Sequence, residues 1–289
     1  MREMSEILTR CVRKGEADGS AFRVALICPD ESLIKIAKLA KERGLADPMA
    51  FNAEKIEGIE TYVTKGPEDA IERALELCMQ GRLDTLVKGL VNTNVFLKCI
   101  VKSAFRTGYL THCSILDLPG FDRPLIVSDG TVTPNPDLSQ KVQILRNAVY
   151  CSEILGTSRP NVALLSANEL VLPGIPSGID AAILSVMAKR GQVADAVVEG
   201  PMALDSALSA EACEKKGLRF SFRPPADILI APDLESAAML IKSAVHLAGA
   251  IVAGILLGTK CPIVLTSRAD SDEAKYLSLC ICKLAAKAL

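Results

Sequence analysis

The run Pro262-Ile263-Val264-Leu265-Thr266-Ser267-Arg268-Ala269-Asp270-Ser271-Asp272-Glu273 couples a short β-branched strand to hydroxyls, a guanidinium and a helix start. Backbone N–H groups lack partners at a helix N-terminus and the helix dipole is positive there. Ser267, Ser271 and Arg268 could therefore hold a phosphate or carboxylate. The same spacing also suits a capping box of Ser267 with Asp270, with Asp272 and Glu273 answering the dipole. A second candidate, Lys88-Gly89-Leu90-Val91-Asn92-Thr93-Asn94, follows a predicted strand and precedes a helix. Its glycine permits close backbone approach, and Lys88, Asn92 and Thr93 offer donors, although the full phosphate-loop pattern is absent.

Further polar residues fall at the carboxyl ends of other predicted strands, where open α/β sheets place their ligands. Asp122-Arg123 precedes one strand, and Asp129-Gly130-Thr131-Val132-Thr133-Pro134-Asn135-Pro136 follows it. That rigid segment could present Asp129 and Asn135 to a ligand, or simply turn the chain with Asp137 as the next N-cap. Ser166-Ala167-Asn168-Glu169 and Glu199-Gly200-Pro201 occupy similar places, each equally readable as an ordinary strand-to-helix turn. Asp205 could cap a helix or face a cleft. His246 is expected in a buried helix with its ring hydrogen-bonded, not in catalysis.

The elements that must position these residues are legible as apolar runs of strand length alternating with amphipathic segments. This is the pattern of a mostly parallel sheet flanked by helices. Strands are expected at 24–28, 85–88, 113–118, 125–128, 162–166, 196–199, 228–231, 252–257 and 263–266. Helices are expected at 31–43, 68–80, 95–105, 138–155, 179–189, 234–248 and 271–289, from the three- and four-residue spacing of their apolar side chains. Gly44 supplies a C-cap signal and Gly66-Pro67 a helix opening. Thr157-Ser158-Arg159-Pro160, between a long helix and a fresh strand, reads as the entry to a second lobe.

With 289 residues the chain can bury one large α/β unit or two smaller lobes, and two are favoured. A net charge of -1 and 4% aromatics, without a Lys/Arg block, offer no footprint for nucleic acid. Met1 to Gly15 carries charges throughout and lacks the apolar stretch of a secretion signal, so a cytoplasmic protein is expected. The apolar run 244–257 is short, Gly-rich and interrupted by His246, which suits a buried helix end and strand and not a membrane span. The ten cysteines are scattered singly and read as thiols. Cys280 and Cys282 would point apart on a helix, and His112 and His246 lie far apart, so no metal site is expected.

In order along nearly the whole chain, these segments resemble the phosphate acetyl/butyryltransferase family, in its butyryl-type branch. Lys88-Gly89-Leu90-Val91-x-Thr93 is similar to the family's K-G-L-V-x-T, and Phe121-Asp122-Arg123-Pro124-Leu125 to its Y/F-D-R-x-L. Pro136-Asp137-Leu138 lies in a P-D/E-L segment, Glu199-Gly200-Pro201-Met202-Ala203-Leu204-Asp205 is similar to D-G-P-L-A-L-D, and residues 265–275 to L-T-S-R-A-D-S-x-E-x-K. The resemblance implies reversible acyl transfer between coenzyme A and inorganic phosphate, with acyl phosphate as product and no prosthetic cofactor. It implies a two-lobed isopropylmalate-dehydrogenase-like α/β fold, a homodimer, and a site between the lobes. It also returns the last helix to the first lobe, giving residues 1–156 with 262–289, and a second lobe of 157–261.

On this resemblance Arg268 and Arg123 would clamp phosphate, and Ser267 would donate to the oxyanion or the phosphate. The aspartate base of the acetyl branch corresponds to Ala274, so Asp272 or Glu273 would substitute. Two further departures are Ala237-Ala238 in place of a Gly-Asn pair, and Lys98 where an arginine usually stands. They leave open a weakened paralogue that binds coenzyme A or acyl phosphate without efficient turnover. A dinucleotide-dependent dehydrogenase of similar architecture would need a G-x-G-x-x-G loop and an aspartate triplet, neither of which is found.

Overall fold

The computed structural model describes residues 4–288. In chain order its elements are α1 (Glu6–Ala17), β1 (Arg23–Ile27), α2 (Glu31–Glu42), β2 (Asp47–Asn52), β3 (Glu60–Val63), α3 (Pro67–Met79), β4 (Thr85–Lys88), α4 (Thr93–Lys102), β5 (Arg106–Asp117) and β6 (Leu125–Ser128). They continue with α5 (Leu138–Ile154), β7 (Asn161–Leu165), α6 (Pro176–Lys189), β8 (Val197–Met202), α7 (Leu204–Leu208), α8 (Ala210–Lys216), β9 (Ile228–Ile230), α9 (Leu234–His246), β10 (Ile251–Thr259), β11 (Ile263–Val264) and α10 (Asp272–Ala288).

The chain divides into two compact units. One comprises Leu8–Leu110 and Ala253–Leu289; the other comprises residues up to Ile7 together with Thr111–Val252. The chain passes between them inside α1, again inside β5 and again inside β10. This partition differs from the expected lobes, because residues 111–156 lie with 157–252. The reason is strand pairing: β6 joins β9 in parallel through Ile126↔Ile228 and Ser128↔Ile230, and α5 packs on both. Residues 253–261 go the other way, since β10 pairs antiparallel with β11 through Ile255↔Val264.

In the first unit the strands run β3-β2-β1-β4-β11-β10. All pairs are parallel except β10 with β11. Strands β1 and β4 are wholly buried apart from the first residue of β1, as expected of a sheet covered by helices. In the second unit the order is β5-β6-β9-β7-β8, with only β5 and β6 antiparallel. Its core includes Leu116, Val127, Ala163, Met202, Leu229 and Ala237.

Several local expectations need correction. Strands β2 and β3 lay outside the sequence reading because Asp47-Pro48 reads as a turn and β3 is an edge strand with no buried residue. Pairing with β1 and the stacking of Phe51 on Tyr62, at 5.2 Å between ring centres, fix them instead. Helix α4 stops at Lys102, since Ser103 turns to extended backbone and β5 begins by Arg106. His246 is exposed at the last turn of α9 and Leu247 beyond it is 85% exposed, so this is not a buried helix end.

Candidate active site

In the first unit, three strand ends converge. Chain leaving β1 reaches Asp30, whose carboxylate caps α2 by accepting from the Leu33 N–H at 2.7 Å. Chain leaving β4 reaches Gly89, and chain leaving β11 reaches Thr266, Ser267 and Arg268. Together with Leu33, Lys88 and Lys275, these residues line one small hollow. Gly89 makes the convergence possible: a Cβ there would lie 2.3 Å from the Cys28 carbonyl oxygen and 2.6 Å from that of Ile27. The approach is fixed by N–H donation from Gly89 to Ile27 O at 2.9 Å and from Leu90 to Cys28 O at 2.7 Å.

The electrostatics of the hollow are lopsided. Lys88 and Lys275 are each only 6% exposed, and Arg268 stands beside them with its Nη2 donating to Leu90 O at 3.3 Å. Lys88 Nζ donates to Gly89 O at 3.3 Å, a long bond for a group with three donors. Lys275 Nζ donates to Ser32 Oγ at 2.7 Å and lies 4.0 Å from Asp30 Oδ2. Three cations thus face one carboxylate. Burial pushes the Lys88 ammonium below the usual lysine range, and the neighbouring Arg268 adds to that. An anion entering this hollow would relieve both penalties.

Helix α10 starts at Asp272, one residue from the expected start, so the cap suggested at Ser267 falls outside it. Ser271, not Ser267, caps α10, its Oγ accepting from Ala274 N–H at 3.2 Å. Ser267 and Asp270 instead close a turn in the preceding loop: Ser267 N–H donates to Asp270 Oδ2 at 2.7 Å and Ala269 N–H to Ser267 Oγ at 3.3 Å. Ser267 and Arg268 are consequently exposed at the lip of the hollow. Asp272 and Glu273, expected to supply a base, occupy the first turn of α10 and are not among the residues lining it. The Asp272 carboxylate is engaged by Lys35 Nζ at 2.8 Å and Ser32 Oγ at 2.6 Å, and these bonds hold it below the usual carboxylate range. Ala274 is buried in α10.

Asn92 caps α4, accepting from Asn94 N–H at 2.9 Å, and Thr93 is the first residue of that helix. Lys98 is exposed on α4 and lines a groove of Glu68, Glu72, Lys102 and their neighbours between α3 and α4, not the cationic hollow. The charge kept at that position is therefore no clamp within the hollow.

In the second unit the expected site residues have varied partners. Arg123 was expected to clamp phosphate, but its guanidinium is taken by Asp227, at 3.0 Å, and by Pro225 O, at 2.9 Å. Asp129 is buried and organises its own loop, accepting from the N–H groups of Thr131, Val132 and Thr133 at 2.9, 3.1 and 3.2 Å. Burial nevertheless dominates and pushes its carboxyl up to about 6. Asn135 is exposed, and Asp137 forms a complete capping box with Gln140.

Ser166 Oγ pairs with Ser177 Oγ at 2.9 Å, and Asp205 pairs with Lys216 at 2.8 Å. Gly200 sits in β8 where a Cβ would approach Leu164 Cβ to 2.6 Å, so its place is set by packing. A strand-end hollow also exists here, lined by Lys141, Ser177, Asp180 and Pro232 among others. Its lysine is already neutralised by Asp180 at 2.7 Å. Ala237 is wholly buried in this unit's core, which accounts for a small apolar residue at that departure.

Sequence reasoning identified Lys88, Ser267 and Arg268 but not Asp30, Ser32 or Lys275 as their neighbours. Lys275 lies within the run 265–275, and its place in the first turn of the helix that follows the Ser267 loop was the available signal.

Among the described residues, no helix is long and apolar enough to cross a membrane. The family model described as phosphate acetyl/butaryl transferase matches residues 30–282. A phosphate acetyltransferase of Thermotoga maritima is 36% identical over 95% of this chain and 98% of its own. A phosphate butyryltransferase of Clostridium acetobutylicum is 34% identical over 99% of each. The crystal structure of a branched-chain phosphotransacylase from Enterococcus faecalis superposes with a TM-score of 0.83 at 27% identity, covering 92% of this chain and 99% of that one. The chain therefore belongs to the phosphate acetyl/butyryltransferase family of phosphate acyltransferases.

Proposed function

We propose that this protein catalyses reversible transfer of a short or branched acyl group between coenzyme A and inorganic phosphate. The observation that carries the reading is the hollow where Lys88, Lys275 and Arg268 face a single carboxylate, Asp30, beside the Ser267 hydroxyl. In one direction the thiol sulfur of coenzyme A attacks the acyl carbon of acyl phosphate. The carbon–sulfur bond forms, the carbon–oxygen bond to phosphate breaks, and the thiol proton leaves on the phosphate. Negative charge grows on the sulfur, the carbonyl oxygen and the departing phosphate in turn, and fixed cations in a partly desolvated hollow stabilise it.

Arg268 and Lys88 hold the phosphate in this scheme, and Ser267 donates to the phosphate or the oxyanion. Lys88 differs from Arg268 in being a buried point charge, so it tolerates loss of the anion less well. Acyl-CoA, phosphate and acyl phosphate are the small-molecule partners, and no prosthetic group enters the scheme. A branched substrate is favoured by the likeness to the Enterococcus faecalis branched-chain enzyme. The ten cysteines, all thiols, support a cytoplasmic setting. Exposed apolar side chains at Leu170, Val171, Leu172, Ile183 and Val186 support a homodimer.

The test is thiol release from a panel of acetyl-, butyryl-, isobutyryl- and benzoyl-CoA in phosphate buffer. The wild type is expected to turn over at least one of the shorter esters. An Arg268→Ala protein that remains folded is expected to lose about a hundredfold in kcat/KM. Equal thiol release by the two proteins would remove Arg268 from the clamp.

A further inference from the structure

Lys275 is the one residue of the cationic hollow whose side chain is held from behind by a chain of polar contacts. Its ammonium donates to Ser32 Oγ at 2.7 Å, Ser32 Oγ donates to Asp272 Oδ1 at 2.6 Å, and Lys35 Nζ holds the other oxygen, Asp272 Oδ2, at 2.8 Å. The chain joins the first turn of α2 to the first turn of α10, two elements that also pack on each other. Both oxygens of Asp272 are therefore occupied, and the carboxylate stands outside the hollow that Lys275 lines. Lysine has three donors, and the structure fills one of them with Ser32 and leaves Asp30 Oδ2 at 4.0 Å. A buried ammonium so placed has donors left for an incoming dianion.

Resting on the acyltransferase reading above, we propose that Lys275 is a further phosphate-binding residue of the site, and that Ser32 and Asp272 position it. Asp272 is then no proton acceptor for the thiol: it acts through Ser32 on the orientation of Lys275. The ligand is the phosphoryl dianion of inorganic phosphate or acyl phosphate. The phosphates of coenzyme A share that chemistry, and separate KM values for the two substrates distinguish the sources.

The experiment uses the full chain, assayed in the direction that consumes acyl-CoA and phosphate. Absence of turnover by the wild type with every ester would dispose of the acyltransferase reading itself. With an active wild type, Lys275→Gln is expected to raise the KM for phosphate about tenfold while the KM for acyl-CoA stays within about twofold. An unchanged phosphate KM overturns the proposal, and so does a rise confined to acyl-CoA.

Because Lys275 is buried, Ser32→Ala and Asp272→Asn provide the second arm. Each is expected to raise the phosphate KM about threefold, and the double variant no further than either single one, since all act through the same ammonium. A hundredfold fall in kcat for Asp272→Asn without a matching fall for Ser32→Ala would identify Asp272 as the base and overturn the assignment. Multiplying effects in the double variant would do the same.

Discussion

At the scale of single residues, the hollow depends on how closely Gly89 lies against the end of β1. Replacing it by alanine would drive a methyl group to within 2.3 Å of a backbone oxygen that no side-chain motion can clear. Gly89→Ala is expected to cost about 1–3 kcal/mol, read as a fall in the urea midpoint, and to lower activity by displacing Lys88. Retained stability and activity together would show that the strand ends yield more easily than their hydrogen bonds indicate. Asp129 provides a pH-dependent counterpart. Its carboxyl titrates at about 6 in the folded protein, against about 4 in an unfolded chain. The folded state binds the extra proton, so this group's contribution to stability is complete below pH 4 and is lost as pH rises through 6. The change is on the order of 3 kcal/mol. Asp129→Asn keeps an acceptor for Thr131 and Val132, and should flatten the slope of the urea midpoint between pH 4 and 6.5. A slope identical to the wild type would contradict the raised value.

At the scale of elements, Arg123 separates two roles that the sequence could not. The segment Phe121-Asp122-Arg123 carried the family pattern, yet the guanidinium joins the chain before β6 to Asp227 before β9, whose side chain is only 8% exposed. Asp227 also accepts from Asn161 N–H at 2.7 Å, so one carboxylate ties together the starts of three adjacent strands. Arg123→Met should therefore cost about 2–3 kcal/mol by stranding Asp227, and calorimetric melting would register it. A protein equally stable but with a raised phosphate KM would return Arg123 to the clamp.

The same comparison shows what was legible. Strands with continuous apolar runs, such as β1 and β9, and helices with clear caps, such as α5, could be read from the chain because burial and capping leave marks in composition. Strand β3, fixed by its neighbour, leaves none. The place of Lys88, Ser267 and Arg268 at strand ends, which brings them to one hollow, was legible. Lys275, Ser32 and Asp30 were not, since their meeting depends on the packing of α2 against α10.

At the scale of the whole molecule, apolar side chains that remain in water ask for an explanation. Ile183 and Val186, one turn apart on α6, are 40% and 48% exposed, and the loop before that helix adds Leu170 at 62%. If that face is covered by a second copy, Ile183→Glu with Val186→Glu should shift the protein to a monomer in analytical ultracentrifugation while leaving each copy folded. Wild-type protein that sediments as a monomer at micromolar concentration would refute the homodimer.

None of the three crossings of the chain between units falls in a linker: one lies inside α1 and the other two lie inside strands β5 and β10. The segment 111–252 is thus inserted within the unit that carries Lys88, and β11 and α10 complete that unit only from the last part of the chain. On a ribosome, the inserted portion would have all but a few of its residues long before the surrounding one does. Residues 8–110 would wait, with the edge of β4 open, until β11 arrives to pair with Val87. The cationic hollow is therefore completed only by the last part of the chain, and a nascent chain released early would hold Lys88 but neither Arg268 nor Lys275.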